Sequence, residues 1–335
     1  MPSQSNIFNL HSANVSKPTV SVIIAARNEE KFITDCIMSV LNNDWPREQL
    51  DILVVDHSSV DSTAALARAA GATVLPLSNG NIGAVRNVGL RAAKGEYVAY
   101  IDADCIAPEY WLRTAIQILE ADKNVGAVGG PYMAPVNGTW VEKSLAPSQL
   151  PHGVIKPTRA LATGSFISHA YLLREIGEFD ETLISGEDDD ICNRIQRSGL
   201  AVISATDCHV IHRGFAKTWR DVIKKEKWHG SNHVDVRSSL DPTLILTLMF
   251  LGASFALPIL LATVILTRRG LSLYIFLCVL FAQFIPPLLF ALKRIRQTPH
   301  DWPLTLYLVG TGYAYFTGHG LGVLSNLWRR AIHRK

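Results

Sequence analysis

The sequence predicts an α/β domain with a mixed, mainly parallel sheet, followed by C-terminal transmembrane helices. Three observations lead to this prediction. Short β-branched runs alternate with amphipathic stretches, polar side chains follow several of these runs, and long uncharged runs crowd after Asp241. Alternating strands and helices are typical of a parallel sheet covered by helices. The 335 residues leave room for one such domain and an appendage.

Hydrophobic periodicity places the individual elements. Strands are expected at 19–25, 50–55, 73–76, 97–101 and 201–205, where β-branched residues cluster. Helices are expected at 29–41, 62–70, 84–93, 171–176 and 191–197, where the apolar spacing is helical. Between 137 and 161, prolines and hydrophilic residues predict a mobile loop.

Three regions are predicted along the chain: a polar tail at 1–18, a catalytic domain at 19–240 and a membrane domain at 241–335. The uncharged runs 243–266 and 271–292 are each long enough to cross about 30 Å of hydrocarbon. Two buried core helices are the alternative, although soluble helices seldom lack a polar face. The run 304–327 is rich in glycine and contains His319, which suits a crossing helix, a re-entrant piece or an interfacial helix.

Charge placement bears on orientation. The polar start has no signal-peptide pattern, so we expect a multi-pass protein of the inner (cell) membrane whose large domain is cytoplasmic. Lys293, Arg294 and Arg296 after the second run agree with this orientation. A crossing third run would place the following basic residues outside: Arg329, Arg330, Arg334 and Lys335. Either that run does not cross, or the rule is overridden here.

Several classes of function are disfavoured. A net charge of +3 without interleaved aromatic residues argues against nucleic-acid binding. The five cysteines lack zinc-ligand spacing and indicate reduced structural thiols. The glycine-rich stretch 80–89 fits neither the dinucleotide fingerprint nor the P-loop, which argues against a nicotinamide enzyme and an ATPase. Arg86, in the first turn of the helix that follows, either reaches a nucleotide or forms a surface ion pair.

Two carboxylates directly after an apolar strand indicate a metal site. Asp102 and Asp104 are aimed at one place by that strand, and oxygen ligands suit Mg²⁺ or Mn²⁺ bridged to substrate phosphates. Such a pair alone can also be a solvated loop. His212, beyond the last strand, is either a third metal ligand or a structural histidine.

Other acidic residues stand at the end of a strand or at the start of a helix. Asp56 ends a strand, where its carboxylate can accept a hydrogen bond from the imide nitrogen of a pyrimidine. Asp61 and Ser62 are expected to cap the next helix. The four carboxylates from Glu187 to Asp190 either cap a helix or include a general base for an acceptor hydroxyl.

An ordered set of strings resembles the large family-two group of inverting glycosyltransferases. The strings are SVIIAARNEE, ILVVDHSSVDST, GNIGAVRNVGLRAAKGEYVAYIDADC, GSFISHAYLLREIGEFDE and GEDDDICNRIQRSG, and the match covers about residues 19–214. The resemblance implies a GT-A fold with a Rossmann-like sheet, a nucleotide-diphosphate sugar donor, a divalent metal and inversion at the anomeric carbon. A UDP-sugar is the favoured donor.

Carried over by position, the resemblance assigns roles. Asp56 would bind the nucleobase, Asp102 the ribose or a metal-bound water, Asp104 the metal, and Asp188 would be the base.

Further positions match those that usually line the donor site. Asn28, Glu29 and Arg86 would lie near the nucleotide. Gly164 and Ser165 would lie near the donor sugar or the acceptor. The loop at 137–161, predicted from its own composition, is expected on the acceptor side.

The predicted function is sugar transfer to a hydroxyl of a saccharide or lipid-linked saccharide, in cell-surface polysaccharide or glycolipid synthesis, in contact with membrane lipids. The stretch 224–228 (KKEKW) replaces the QxxRW string of processive polymerases, which favours single additions. One alternative is a polyprenyl-phosphate sugar synthase, whose ionised acceptor would need no base. The other is an inactive membrane scaffold that only binds a nucleotide sugar.

Overall fold

The computed structural model describes residues 19–183, 185–236, 242–267, 270–295 and 302–333. The expectations for the tail 1–18 and for Arg296, Arg334 and Lys335 lie outside these ranges. The strands are β1 (Val20–Ala26), β2 (Leu50–Asp56), β3 (Thr73–Pro76), β4 (Tyr97–Asp102), β5 (Cys105–Ile106), β6 (Val125–Gly129), β7 (Tyr132–Met133), β8 (Ile155–Pro157), β9 (Phe166–His169), β10 (Ala201–Ala205) and β11 (Val210–His212).

The helices alternate with these strands and then continue without them. They are α1 (Ile33–Leu41), α2 (Thr63–Ala69), α3 (Ile82–Ala92), α4 (Trp111–Ala121), α5 (Trp140–Leu145), α6 (Ala170–Glu175), α7 (Glu187–Arg197), α8 (Trp219–Val236), α9 (Pro242–Thr267), α10 (Gly270–Ile295) and α11 (Trp302–His333).

The main sheet has the strand order β3-β2-β1-β4-β9-β6-β10-β8. Its pairings are parallel except where β9 meets β4 and β6, and where β8 meets β10. The expected mainly parallel sheet is confirmed. A small second sheet, β5-β11-β7, lies at its edge.

Each face of the main sheet carries its own apolar core, because successive strand residues point to opposite faces. On β1, Val22 and Ile24 pack with residues of α1, α2 and α4, while Ile23 packs with residues of α3, α6 and α7. Burial on both faces is typical of parallel strands, and it leaves the strand ends as the open edge.

The predicted loop at 137–161 is partly wrong, because the structure contains α5 and β8 there. A capping box begins α5: the Thr139 side chain accepts a hydrogen bond from the Glu142 N–H, and the Glu142 side chain accepts one from the Thr139 N–H. This reciprocal pair satisfies amide groups that a helix start leaves open and stabilises a helix of only two turns.

Two of the described helices, α9 and α10, are long and apolar enough to cross a membrane. They cover the predicted runs 243–266 and 271–292. The third run, 304–327, lies within the single helix α11, which does not meet the same test.

Candidate active site

The polar ends of three strands lie side by side. β1 runs between β2 and β4, with Ala26 opposite Asp56 and Ala25 opposite Asp102. Neighbouring strands are about 4.8 Å apart, so the Cα atoms of Asp56 and Asp102 are separated by roughly 10 Å. Ligands of parallel sheets bind beyond these carboxyl ends.

The turn after β1 is locked to the turn after β2. Asn28 has a φ of 57° and its N–H donates to Ser59 Oγ over 2.9 Å, while its Oδ1 accepts from the Val60 N–H over 2.9 Å. Asparagine tolerates this left-handed conformation better than most residues. Asn28 therefore shapes the edge of the cleft, and its amide oxygen is engaged within the protein.

Asp61 caps α2, as expected, and Ser62 does not. Asp61 Oδ1 accepts from the Thr63 N–H over 3.0 Å, whereas the Ser62 side chain makes no capping hydrogen bond.

Asp56 is the buried carboxylate at the end of β2. Its exposed fraction is 9%, and its Oδ1 has no hydrogen-bond partner within the described part of the chain. A buried polar atom without a partner costs free energy. The orphaned oxygen therefore fits a ligand that brings its own N–H or O–H donor.

Four side chains bring metal-binding atoms together at the end of β4. One ligand atom from each of Asp102, Asp104, Cys105 and His212 lies within 4.8 Å of all the others. The pairing of β11 with β5 sets His212 opposite Cys105. His212 Nε2 lies 3.6 Å from Asp104 Oδ2.

Negative charge accumulates in this cluster. Burial raises the pKa of Asp104, although nearby His212 opposes the shift, and burial lowers the pKa of His212 itself. Burial, together with the charges of Asp104 and Asp102, raises the pKa of Glu29 to about 7. Neighbouring carboxylates disfavour each other's ionisation, and a cation bound between them stabilises their ionised forms.

The donor set selects the kind of cation. Burial, with the charges of Asp102 and Asp104, raises the pKa of the Cys105 thiol far above its usual value, and a soft sulfur ligand does not suit a hard cation. Asp102, Asp104 and His212 then offer carboxylate oxygens and one imidazole nitrogen. These residues fit a hard divalent ion such as Mg²⁺ or Mn²⁺.

Tyr132, on β7, holds Asp102 in place and was missed by the sequence analysis. Its hydroxyl donates to Asp102 Oδ2 over 2.6 Å. A Cβ added at Gly164 would lie 2.2 Å from the Tyr132 hydroxyl and 2.6 Å from Asp102 Oδ2. The glycine therefore makes room for this hydrogen bond, and no residue with a side chain fits there.

The Ser165 hydroxyl is fully engaged beneath the site. It accepts hydrogen bonds from Trp111 Nε1 (3.0 Å) and from the Gly130 N–H (3.1 Å), and it donates to the Cys208 carbonyl (2.6 Å). Ser165 is also fully buried. The hydroxyl therefore joins the strands behind the cleft and is not aimed at a ligand.

Arg86 forms a buried ion pair and not the surface pair that was one of its two interpretations. Its Nη1 contacts Glu187 Oε1, and both residues are 6% exposed. Its Nη2 lies 3.8 Å from Asp102 Oδ1, and its guanidinium lies over the Phe179 ring at 5.7 Å. Arg86 thus connects the end of β4 to the start of α7.

Asp188 follows Glu187 in the first turn of α7. Burial, with the charges of Glu187 and Asp189, raises the pKa of Asp188 to about 6, while Arg86 acts against this shift. A carboxylate with this pKa is ionised at neutral pH and is still a better proton acceptor than an ordinary aspartate. Two of the four adjacent acids have basic partners of their own, since Glu187 pairs with Arg86 and Asp190 pairs with Arg194 over 2.7 Å.

Comparison with known proteins identifies the domain. Residues 21–175 match the profile of the family described as glycosyl transferase family 2. The chain is 28% identical over 230 residues to glycosyltransferase AglE of Haloferax volcanii, covering 65% of this chain and 74% of AglE. It is 30% identical over 177 residues to the poly(ribitol-phosphate) beta-N-acetylglucosaminyltransferase TarS of Staphylococcus aureus, covering 50% of this chain and 30% of TarS.

A solved structure shares the fold. The mannosyltransferase PcManGT from Pyrobaculum calidifontis, determined in complex with GDP-Man and Mn²⁺, superposes with a TM-score of 0.58. The two chains are 21% identical, and the superposition covers 94% of this chain and 88% of PcManGT. The expected GT-A fold, followed by apolar C-terminal helices, is confirmed.

Proposed function

We propose, on the premise that residues 21–175 form a glycosyl transferase family 2 domain, that this protein transfers a sugar from a nucleotide-diphosphate donor to a hydroxyl with inversion. The acceptor is a saccharide or lipid-linked saccharide in cell-surface polysaccharide or glycolipid synthesis. The observation that carries the proposal is the meeting of Asp102, Asp104 and His212 at the strand ends that also bear Asp56.

The donor nucleotide is assigned to the carboxyl ends of β1 and β2. The unpartnered Oδ1 of Asp56 accepts a hydrogen bond from the base, and Asn28 and Glu29 form the adjacent wall. A pyrimidine imide N–H satisfies this oxygen, which favours UDP. The guanine of GDP also offers an N–H to Asp56, and PcManGT was solved with GDP-Man. UDP-sugars and GDP-sugars are therefore both candidate donors.

The diphosphate is assigned to the metal cluster. A divalent cation held by Asp104, Asp102 and His212 would offset the charge that grows on the leaving diphosphate. The chain itself fixes the geometry, because Tyr132 and Arg86 hold Asp102 from two sides.

Asp188 is assigned as the general base. It takes the proton of the acceptor hydroxyl as that oxygen attacks the anomeric carbon, and the bond from this carbon to the diphosphate oxygen breaks. Attack from the face opposite the leaving group inverts the centre in one displacement. The pKa of about 6 suits this role near neutral pH.

The membrane helices support a lipid-linked or membrane-proximal acceptor. We place the catalytic domain on the cytoplasmic side of the inner membrane, where nucleotide sugars are made. TarS is named for transfer to poly(ribitol-phosphate), a polymeric acceptor. Single additions are proposed for this chain because the stretch 224–228 lacks the QxxRW string.

A panel of UDP- and GDP-sugars with Mn²⁺, scored for binding and slow donor hydrolysis, tests the proposal. At least one donor is expected to bind in a metal-dependent manner. Asp104→Asn should abolish that dependence, and Asp188→Asn should keep donor binding and lose transfer. The matched control is Asp122→Asn, an exposed turn residue whose amide oxygen can still accept from the Asn124 N–H.

Three outcomes would reject the proposal or replace it. Failure to bind any donor with Mn²⁺ would reject it. Donor binding without metal-dependent hydrolysis or transfer, in the parent and in the Asp104→Asn and Asp188→Asn variants alike, would favour a binding scaffold. An acid-labile product formed without Asp188 would indicate a polyprenyl-phosphate sugar synthase.

A further inference from the structure

Helix α11 is attached to the catalytic domain along most of its length. Near its start, the Tyr307 ring stacks on Trp140 of α5 with ring centroids 4.2 Å apart. Near its end, Asn326 Nδ2 donates to the Ser231 carbonyl on α8. These two attachments are about 29 Å apart along a helix with a rise of 1.5 Å per residue. That length is close to the full thickness of a hydrocarbon core.

Close backbone contact joins α11 to α8 between those attachments. A Cβ at Gly318 would lie 2.5 Å from the Ile223 carbonyl oxygen, and one at Gly322 would lie 2.2 Å from that of Lys227. Six of the eight residues from Arg220 to Lys227 in α8 carry charged side chains: Arg220, Asp221, Lys224, Lys225, Glu226 and Lys227. Charges at this density are too costly for hydrocarbon, so α8 stays outside the bilayer core. A helix packed against it this tightly stays outside as well.

The α9–α10 hairpin packs on α11 near the base of the hairpin. Phe250 contacts Tyr313 at 5.0 Å between ring centroids, and Phe290 contacts Tyr315 at 5.4 Å. The contacts extend to Leu251 on α9, beside Gly320, and to Phe284 on α10, whose ring centroid lies 6.4 Å from that of Tyr313. Beyond them, α9 continues for about 24 Å and α10 for about 21 Å at 1.5 Å per residue. The projecting part therefore spans most of a hydrocarbon core about 30 Å thick. Its large exposed side chains are apolar or aromatic: Phe255, Ile259, Leu261, Ile265, Leu266, Leu271, Leu273, Tyr274, Ile275, Leu277 and Phe281.

An apolar groove of about 660 Å³ opens on the surface that α11 and α8 share. Trp328 at its edge is 71% exposed. Tryptophan and lysine are enriched where a protein meets lipid headgroups, and lysine also attracts anionic lipids. The groove combines both features, since it is lined by Leu321, Leu324, Leu327, Trp328 and Ala331 with Lys227 beside them.

We propose that α11 lies in the membrane interface on the same side as the catalytic domain, with this groove against lipid, and that α9 and α10 cross. The occupant of the groove is the bilayer itself, its acyl chains against the leucines and its anionic headgroups near Lys227. Lipid is favoured over a second protein because the groove begins at Leu321, next to Gly320, which contacts Leu251 of the apolar helix α9. The placement does not depend on the transfer reaction, and it leaves Arg329 and Arg330 on the catalytic side.

Cysteine labelling in sealed vesicles of one orientation tests which helices cross. The full-length Cys278→Ala variant is a suitable background, because Cys278 is exposed and the other four cysteines are buried. Single cysteines are introduced as Lys335→Cys, just after α11 in the chain and not among the residues that line the groove, Lys123→Cys on the catalytic domain and Leu271→Cys at the hairpin tip. An impermeant maleimide is expected to label 335 and 123 from the same side and 271 only from the other.

Two labelling patterns contradict the proposal. Labelling of 335 together with 271 means that α11 crosses. Labelling of 271 together with 123 means that the hairpin does not cross.

Depth-dependent quenching tests what covers the groove. An environment-sensitive nitrobenzoxadiazole probe on Leu327→Cys in liposomes is expected to emit at shorter wavelength than the same probe on Lys123→Cys. Lipids brominated near the glycerol should quench the 327 probe more than lipids brominated at the chain ends. Stronger quenching from the chain ends would place α11 across the bilayer. No quenching would mean that water or protein covers the groove, and either result overturns the proposal.

Discussion

The Tyr132 hydroxyl donates a hydrogen bond to Asp102 Oδ2 over 2.6 Å, so a residue outside the sequence motifs fixes a central carboxylate of the site. The other carboxylate oxygen, Oδ1, faces Arg86 Nη2 at 3.8 Å. Asp102 is therefore held between a neutral donor and a buried cation. Such outer partners orient ligands and tune their charge.

Replacement of Tyr132 by phenylalanine should weaken metal and donor binding. Loss of a partner that orients a metal-binding carboxylate typically costs about tenfold to a hundredfold in affinity. Isothermal titration with Mn²⁺, and then with a donor, measures this loss. Tyr100→Phe is the matched control, because the Tyr100 hydroxyl is buried and has no hydrogen-bond partner among the described residues. Equal affinities for the two variants would show that the Tyr132 hydroxyl is not needed.

Glu187→Gln should destabilise the protein strongly. The substitution leaves the buried Arg86 cation without its closest anion, and breaking one side of a buried pair costs about 3–5 kcal/mol. The unfolding temperature of the full-length protein in detergent reports the loss. Glu178→Gln is the control, since its partner Arg91 is 58% exposed and such surface pairs contribute about 1 kcal/mol or less. Similar shifts in the two variants would contradict a special role for the Arg86 pair.

The sheet could be predicted closely from the sequence. The β-branched runs at 19–25, 50–55, 73–76, 97–101 and 201–205 each lie within one residue of the observed strand bounds. This succeeds because parallel strands are buried on both faces and so carry a continuous apolar signal. The polar residues that follow these parallel strands therefore lie at the same edge of the sheet.

The partners of the site residues could not be predicted in the same way. Tyr132 reaches Asp102 through a short edge strand, and Glu187 reaches Arg86 from a helix about a hundred positions along the chain. Neither contact follows a local periodicity. For Ser165 the family resemblance predicts a position near the donor sugar or the acceptor, but the sequence does not reveal that its hydroxyl is fully used by hydrogen bonds within the protein.

Transfer should decline in acid as Asp188 becomes protonated. Its pKa is raised to about 6, so the rate is expected to fall tenfold per pH unit below that value. A profile of kcat against pH, with donor and metal saturating, measures this decline at acidic pH. A rate that stays constant down to pH 5 would show that Asp188 is not the base.

The raised pKa of Asp188 also predicts that the free energy of unfolding falls with rising pH, whereas activity rises. A carboxyl group whose pKa is raised by folding favours the native state at low pH, and this stability is lost as the pH rises through about 6. Asp188→Asn removes the penalty of ionising the buried group. In metal-free buffer the variant should therefore unfold at a higher temperature than the parent at pH 8, and at a similar temperature at pH 4. A variant that is less stable than the parent at pH 8 would contradict this.

Gly318→Ala should loosen the contact between α11 and α8. The added Cβ would lie 2.5 Å from the Ile223 carbonyl oxygen, a backbone atom that cannot move without its helix. Overpacking of this kind costs about 1–3 kcal/mol, which should lower the unfolding temperature of the full-length protein in detergent. Gly252→Ala on α9 is the matched control, because a Cβ there meets nothing within 4 Å and alanine favours a helix. Equal unfolding temperatures for the two variants would mean that α8 and α11 are less tightly joined than their glycine contacts indicate, since only a loose interface can absorb a methyl group without loss.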